Sequence, residues 1–463
     1  MAFASLTYFA FLLIVLALVG VVKNLNWQKW VLLTASYVFF GFWNWRFVAL
    51  LGLTTLANYA LTQRMRRVVE PSYKRNLLVG GAAMNLGVLG YFKYANFFLG
   101  IGRIAVEPFG LRLPVAHILL PVAISFITFE FISYLVDAYR GDTEYASNFV
   151  DFALLVAFFP HLIAGPILKP RLFLPQLSRP LEVTWDNVQL GLQLFLWGLV
   201  KKLIVADTCA IMADEIFKYP GKFSQATLAL GVISYGIQIY SDFSGYSDMA
   251  IGSAKCFGIE IPRNFNLPYL STSIAEFWRR WHISLSTWLR DYLYFPLGGN
   301  RKGKARAIAN LMVVMLLGGL WHGASWNFVI WGGLHGAALA LDKQFGRAQS
   351  ITESAFGRAL VAVSTITFVF LAWIPFRAVT AASTFTMFRG LLGLTGGHVT
   401  WFSSGLLIAI PFLVIADAMA DRWYRGRSLN LAIVWQATCF FFLAWCILLF
   451  KASASSPFIY FQF

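Results

Sequence analysis

The chain has 463 residues, of which 59% are hydrophobic and 13% charged, and its mean hydropathy is +0.66. A soluble domain is about 45–50% apolar and about 25% charged, so a soluble globular protein is excluded and a polytopic membrane protein is expected. The 37 Lys and Arg outnumber the 21 Asp and Glu; in a membrane chain that excess reads as cytoplasmic loops facing anionic lipid, not as a nucleic-acid surface.

The first apolar run, Leu6 to Val22, has no basic n-region and no small-residue cleavage site. It reads as a transmembrane helix, not a removable signal peptide. Taking about 20 apolar residues per crossing, the candidate spans are 3–22, 30–43, 47–62, 76–101, 115–136, 187–217, 225–241, 307–322, 324–342, 358–376, 403–420 and 429–450. Segment 150–167 holds Pro160, Gly165 and Pro166. It reads as a discontinuous or re-entrant helix, tolerated only where protein or a cavity covers the backbone. Basic clusters at Arg64–Arg75, Lys169–Arg179, Arg301–Arg306, Lys343–Arg358 and Arg422–Arg427 fit one side of the membrane. Both termini are then extracytoplasmic. The cysteines, Cys209, Cys256, Cys439 and Cys446, form no CxxC pair, and neither a disulfide nor a metal site is expected.

The stretch 274–297 differs from the spans. Trp278, Trp281, His282, Leu285, Trp288, Leu289 and Tyr292 recur at helical spacing, interrupted by Arg279, Arg280, Arg290 and Asp291. An amphipathic helix at the cytoplasmic interface, or lining a cavity, is expected.

The chain has only 6 histidines, and an ionisable imidazole in apolar sequence is costly. Two of them follow tryptophan: Trp281-His282 in EFWRRWHISLS and Trp321-His322 in GGLWHGASWNF. His322, among the small residues Gly318, Gly319, Gly323 and Ala324, is a candidate general base, since imidazole titrates near pH 6.5. The plain alternative is a histidine hydrogen-bonded between helices. His282 is a candidate for orienting a substrate, with an interfacial histidine as its alternative. His335 reads as a packing residue, and His117, His161 and His398 carry no comparable context. His282 falls near the basic face and His322 in the outer half of its span, so they are expected at two ends of one passage. No HExxH and no GxSxG occurs, which weakens zinc and serine-hydrolase readings.

Asp242 and Asp248 in YSDFSGYSDMA, and Asp207 after Lys201-Lys202 in WGLVKKLIVAD, lie in apolar sequence. Such carboxylates pair with a base or line a water-filled cavity. Arg279, Arg280, Arg290, Lys255 and Arg263 suit a phosphate-bearing donor, with ordinary positive-inside charge as the favoured alternative. The chain closes on SPFIYFQF. An ester on the Tyr460 phenol would stay activated for onward transfer; an interfacial aromatic anchor is the alternative.

YSDFSGYSDMAIG, RNFNLPYLSTSIAEFWRRWHISLSTWLRDYLYFPLGGNRKG and LWHGASWNF together resemble the membrane-bound O-acyltransferase family. The likeness is greatest to its bacterial branch of alginate and peptidoglycan O-acetylation membrane subunits, and more distant to the teichoic-acid D-alanylation acyltransferase. It covers nearly the whole chain. The resemblance implies an all-α polytopic membrane protein, with broken helices around a central funnel. It implies one membrane-embedded domain over 1–463, ending in an extracytoplasmic tail motif over 452–463. It implies a catalytic histidine at His322, a second at His282, a functional aspartate at Asp207 and an acyl-carrying Tyr460. Trp278, Arg279, Arg280, Trp281, Ser286, Asp242, Trp321 and Asn327 are the expected substrate- or donor-binding set. No bound cofactor is expected. The expected donor is a cytoplasmic acyl thioester such as acetyl-CoA, the expected partner an extracytoplasmic acetyltransferase, the expected acceptor a polysaccharide such as alginate, and the expected location the bacterial inner membrane. D-alanyl transfer, peptidoglycan O-acetylation, a solute or ion transporter and a noncatalytic scaffold stay open as alternatives.

Overall fold

The computed structural model describes residues 1–110, 118–163, 165–345, 354–426, 441, 444–445, 448–449 and 458–459. Among them the regular structure is helical, with a single isolated β-bridge between Phe223 and Val399. The chain forms two compact units, residues 1–192 with 250–262, and residues 193–249 with 263–463.

The first unit begins with α1 (Leu6–Val21), α2 (Leu25–Asn44), α3 (Arg46–Arg67) and α4 (Pro71–Leu89). Side chains start the first two helices: Ser5 accepts from the Tyr8 N–H and Asn24 from the Trp27 N–H, satisfying donors that a helix leaves open at its first turn. The expected 76–101 crossing is instead α4 and α5 (Ala95–Val106), joined by a π turn over Gly90–Tyr94. The expected 115–136 crossing appears as α6 (Ile124–Arg140), in which Ile124 to Leu135 are all buried. α7 (Phe149–Ala157) stops at Phe158, whose ψ of 111° leaves the helical region. The short α8 (Phe159–Leu162) follows, with Pro160 in its first turn, where no N–H is needed. The expected discontinuity over 150–167 is therefore present at Phe158. α9 (Pro170–Phe173) comes next.

Two buried ion pairs lie in this unit, where low dielectric makes an unpaired charge costly. Lys29 Nζ lies 2.6 Å from Asp151, and His161 Nδ1 lies 3.2 Å from Glu130. The Leu168 N–H donates to the same Glu130 oxygen, so the buried pair ties α6 to the segment that follows the break.

Two long elements are divided between the units: α10 (Trp185–Leu199) and α12 (Gln225–Lys255). The expected 187–217 crossing is α10, a π turn over Val200–Ala206, and α11 (Asp207–Lys218). The second unit continues with α13 (Ile274–Arg280), α14 (Ile283–Leu289), α15 (Gly303–His322), α16 (Trp326–Phe345), α17 (Ala355–Arg377), α18 (Ala381–Leu391) and α19 (Gly405–Tyr424). Most of the expected 429–450 span lies outside the described residues. Among the described residues, α15 and α17 are the helices long and apolar enough to cross a membrane unaided. α1 is apolar but has 16 residues.

α15 and α16 form a hairpin whose backbones touch. A Cβ on Gly319 would strike the Phe328 carbonyl oxygen, and one on Gly332 would strike the Met315 carbonyl oxygen. Glycine is required here for close approach, not for turn geometry. Gly332→Ala is expected to cost about 1–3 kcal/mol through overpacking. The check is the thermal midpoint of detergent-purified protein, which should fall; an unchanged midpoint would mean that the hairpin yields without strain.

Candidate active site

Trp281 and His282 do not continue a helix from 274 to 297, contrary to the helical spacing. α13 ends at Arg280, and His282 adopts φ 42°, ψ 56°, a left-handed conformation rare for a residue with a Cβ. Such strain persists only where surrounding contacts over-determine it. Here the loop over 264–266 supplies them. Asn264 accepts the Ile283 N–H at its carbonyl, and the Ser284 N–H and Oγ–H at its side-chain oxygen. The Asn266 N–H donates to the Arg280 carbonyl, 2.9 Å away. The apolar stripe still faces inward: Trp278, Trp281, Leu285, Trp288 and Leu289 are all buried. Periodicity thus identified the buried face but not the break within it.

The break turns the His282 ring onto Phe243 of α12, with centroids 4.7 Å apart and planes at 84°. Burial pushes the His282 imidazole down to about 3, so it stays neutral across physiological pH. His322 is the last residue of α15, where Gly323 leaves the helix with extended backbone. Its ring meets Trp321, Trp331 and Phe376 edge-on, at 5.0, 5.1 and 5.2 Å. The rings of His282 and His322 are 6.4 Å apart. They belong to one aromatic enclosure, so the expectation that they mark two ends of a passage is corrected. The reason is the left-handed turn, which no residue pattern announced.

A cavity of about 430 Å³ opens beside this enclosure, lined by Trp278, Ser286, Leu289, Arg290, Met315 and Lys343 among others. Trp278 forms part of its wall and packs on Trp331 at 5.7 Å, and Trp331 packs on His322. The lining is mainly apolar, with Arg290 and Lys343 as its cations.

Of the residues expected to bind donor, Trp278 and Ser286 line the cavity. Trp281 is buried against Phe277 and Trp373. Trp321 lies 6.0 Å from His282. Arg279 is exposed, and Arg280 pairs with Glu276 at 2.8 Å. Asn327 donates to the Ala378 carbonyl at 2.6 Å, holding the start of α16 to the end of α17. Asp242 and Asp207 are not in the cavity wall; both pair with Lys202, at 2.9 and 2.8 Å. His335 is packed, accepting from Trp278 Nε1 at 3.3 Å. Cys209 and Cys256 are buried free thiols; Cys439, Cys446, His117 and Tyr460 lie outside the described residues.

One feature of the first unit was missed from sequence, the buried Glu130–His161 pair. Its signal was present: a glutamate inside the apolar run ISFITFEFISYL, and a histidine within the expected broken segment.

The model of the membrane-bound O-acyltransferase family matches residues 143–383, just over half of the chain. A protein of Pseudomonas putida named Probable alginate O-acetylase AlgI is 38% identical, over 95% of each chain. Its Pseudomonas aeruginosa namesake is 41% identical, over 86% of this chain and 78% of its own. A Helicobacter pylori protein named Peptidoglycan O-acetyltransferase is 38% identical, over 81% of this chain and 75% of its own. The matched region contains both tryptophan–histidine pairs, the cavity wall and the Lys201-Lys202 turn. The chain is therefore an acyltransferase and belongs to the membrane-bound O-acyltransferase family.

Proposed function

We propose that the protein takes an acetyl group from a cytoplasmic thioester, acetyl-CoA, and passes it across the bacterial inner membrane for O-acetylation of an extracytoplasmic polysaccharide. Alginate is the polymer, by the names of the relatives similar over most of their length. The observation that carries this reading is the pairing of two buried histidines, 6.4 Å apart, in one enclosure beside an apolar cavity. The cavity's mainly apolar lining suits the pantetheine arm of the donor, and Arg290 and Lys343 suit its phosphates.

In the reaction, His322 accepts the proton of an acceptor hydroxyl as its oxygen attacks the thioester carbonyl. The tetrahedral intermediate collapses, the C–S bond breaks, and the thiolate leaves with the proton carried by His322. An ester and free thiol result. The acceptor is Tyr460 of the C-terminal tail, whose phenol ester keeps the acetyl group activated. An extracytoplasmic acetyltransferase partner then moves the acetyl group to the polymer. A single membrane-embedded domain does this work, with both termini extracytoplasmic.

Tyr460→Phe tests the relay. Membranes given labelled acetyl-CoA should lose covalent label on the protein and transfer to polymer, while hydrolysis of the donor continues. Full polymer acetylation by this variant would rule out Tyr460 as the carrier.

A further inference from the structure

Two carboxylates of the second unit share one ammonium. Lys202 Nζ lies 2.8 Å from Asp207 and 2.9 Å from Asp242 Oδ1, and all three side chains are buried. The other Asp242 oxygen accepts a main-chain N–H from a residue 217 positions away, that of Ile459, at 2.7 Å. A hydrogen bond from an N–H to an ionised carboxylate is among the stronger ones, more so in low dielectric.

The neighbouring tail residue is held on the same helix. Phe458 is buried and stacks on Tyr246, with centroids 4.2 Å apart and planes at 30°. Asp242 and Tyr246 are four residues apart on α12 and so share one face. That face matches a dipeptide: a carboxylate for the main chain of one residue and a ring for the side chain of the one before. Between them on α12, Phe243 lies 6.0 Å from Phe458 and 4.7 Å from His282. The docked tail is thus one aromatic ring away from the histidine pair.

We infer that the Asp207–Lys202–Asp242 network and Tyr246 form the receptor for the C-terminal tail. Asp242 is a positioning residue that seats the tail through the Ile459 N–H, and Asp207 acts through Lys202. This rests on the reading of the tail as the acyl carrier, for the next residue along the chain is Tyr460. The receptor reads an aromatic side chain at 458 and requires a main-chain donor at 459.

Ile459→Pro removes that donor and leaves the receptor intact. Ile459→Ala keeps it and trims the side chain. In full-length protein, two quantities are read: the rate of hydroxyl-radical labelling of Tyr460 and Phe461, by peptide mass, and acetyl transfer to polymer from labelled acetyl-CoA. Ile459→Pro should expose the tail and lower transfer by about tenfold or more, the usual scale for a charge-assisted bond. Ile459→Ala should retain clearly more of both. Phe458→Ala, which removes the stacked ring, should resemble the proline variant. Wild-type tail protection in Ile459→Pro, or wild-type transfer despite an exposed tail, would overturn the proposal. A failed carrier reading gives a different pattern, because Tyr460→Phe would then transfer normally while Ile459→Pro still exposes the tail.

Discussion

His322→Ala is expected to lower acetyl transfer by about 100- to 10,000-fold, the usual contribution of a positioned general base. The protein should still accumulate in the membrane. The His322 ring lies at the C-terminal end of α15, among Trp321, Trp331 and Phe376. Those rings gain their own packing against Phe328, Trp373 and each other. The large term is therefore expected to be chemical, through loss of the proposed proton acceptor. His282→Ala is expected to act differently. It removes a ring that packs on Phe243 and Trp321 and leaves the left-handed backbone in place, since alanine keeps the Cβ. Its loss should be smaller in the donor half-reaction than in transfer to polymer, because Phe243 also touches the tail residue Phe458. Both variants are read with labelled acetyl-CoA in membranes, with donor hydrolysis and polymer acetylation measured separately. Transfer within tenfold of wild type in a correctly folded His322→Ala protein would remove the general-base role.

The parts of this site legible in the sequence were those written in single residues. Each tryptophan–histidine pair stood out because an imidazole in apolar sequence needs a reason, and both do come to one place. The apolar spacing over 274–297 correctly marked Trp278, Trp281, Leu285 and Leu289 as one buried face. What the spacing could not carry was backbone conformation. A left-handed histidine has no residue signature, unlike a glycine, so the break at His282 and the closeness of the two histidines were hidden. Pairing of buried charge was half legible. Asp207 followed the two lysines, yet residues five apart do not face each other on an α-helix. The π turn over Val200–Ala206 changes that periodicity, and the Asp207 N–H donates to the Lys202 carbonyl across it. The long-range partners, Asp242, Asp248 and Asp417, depend on tertiary packing and leave no local trace.

The same turn sets the largest expected loss of stability. Lys201→Met is expected to destabilise the protein by about 3–5 kcal/mol, the usual cost of stranding buried charge. Lys201 Nζ lies 2.8 Å from Asp248 and 2.7 Å from Asp417, and its side chain is 3% exposed. Each carboxylate has a second anchor: the Tyr424 hydroxyl donates to Asp248 at 2.8 Å, and the Tyr240 hydroxyl to Asp417 at 2.9 Å. Those phenols satisfy lone pairs but supply no charge, so methionine leaves two carboxylates in mutual repulsion within the helix contact between the π turn and α19. Apolar packing alone does not explain such a loss, since Met fills nearly the volume of Lys. The discriminating measurement is a rescue. Lys201→Met combined with Asp248→Asn and Asp417→Asn removes all three charges while keeping acceptors for both phenols. It should recover most of the membrane abundance and thermal midpoint that the single variant loses. A single variant as stable as wild type would mean that water reaches the pair and screens it. A triple variant no better than the single one would assign the loss to packing instead.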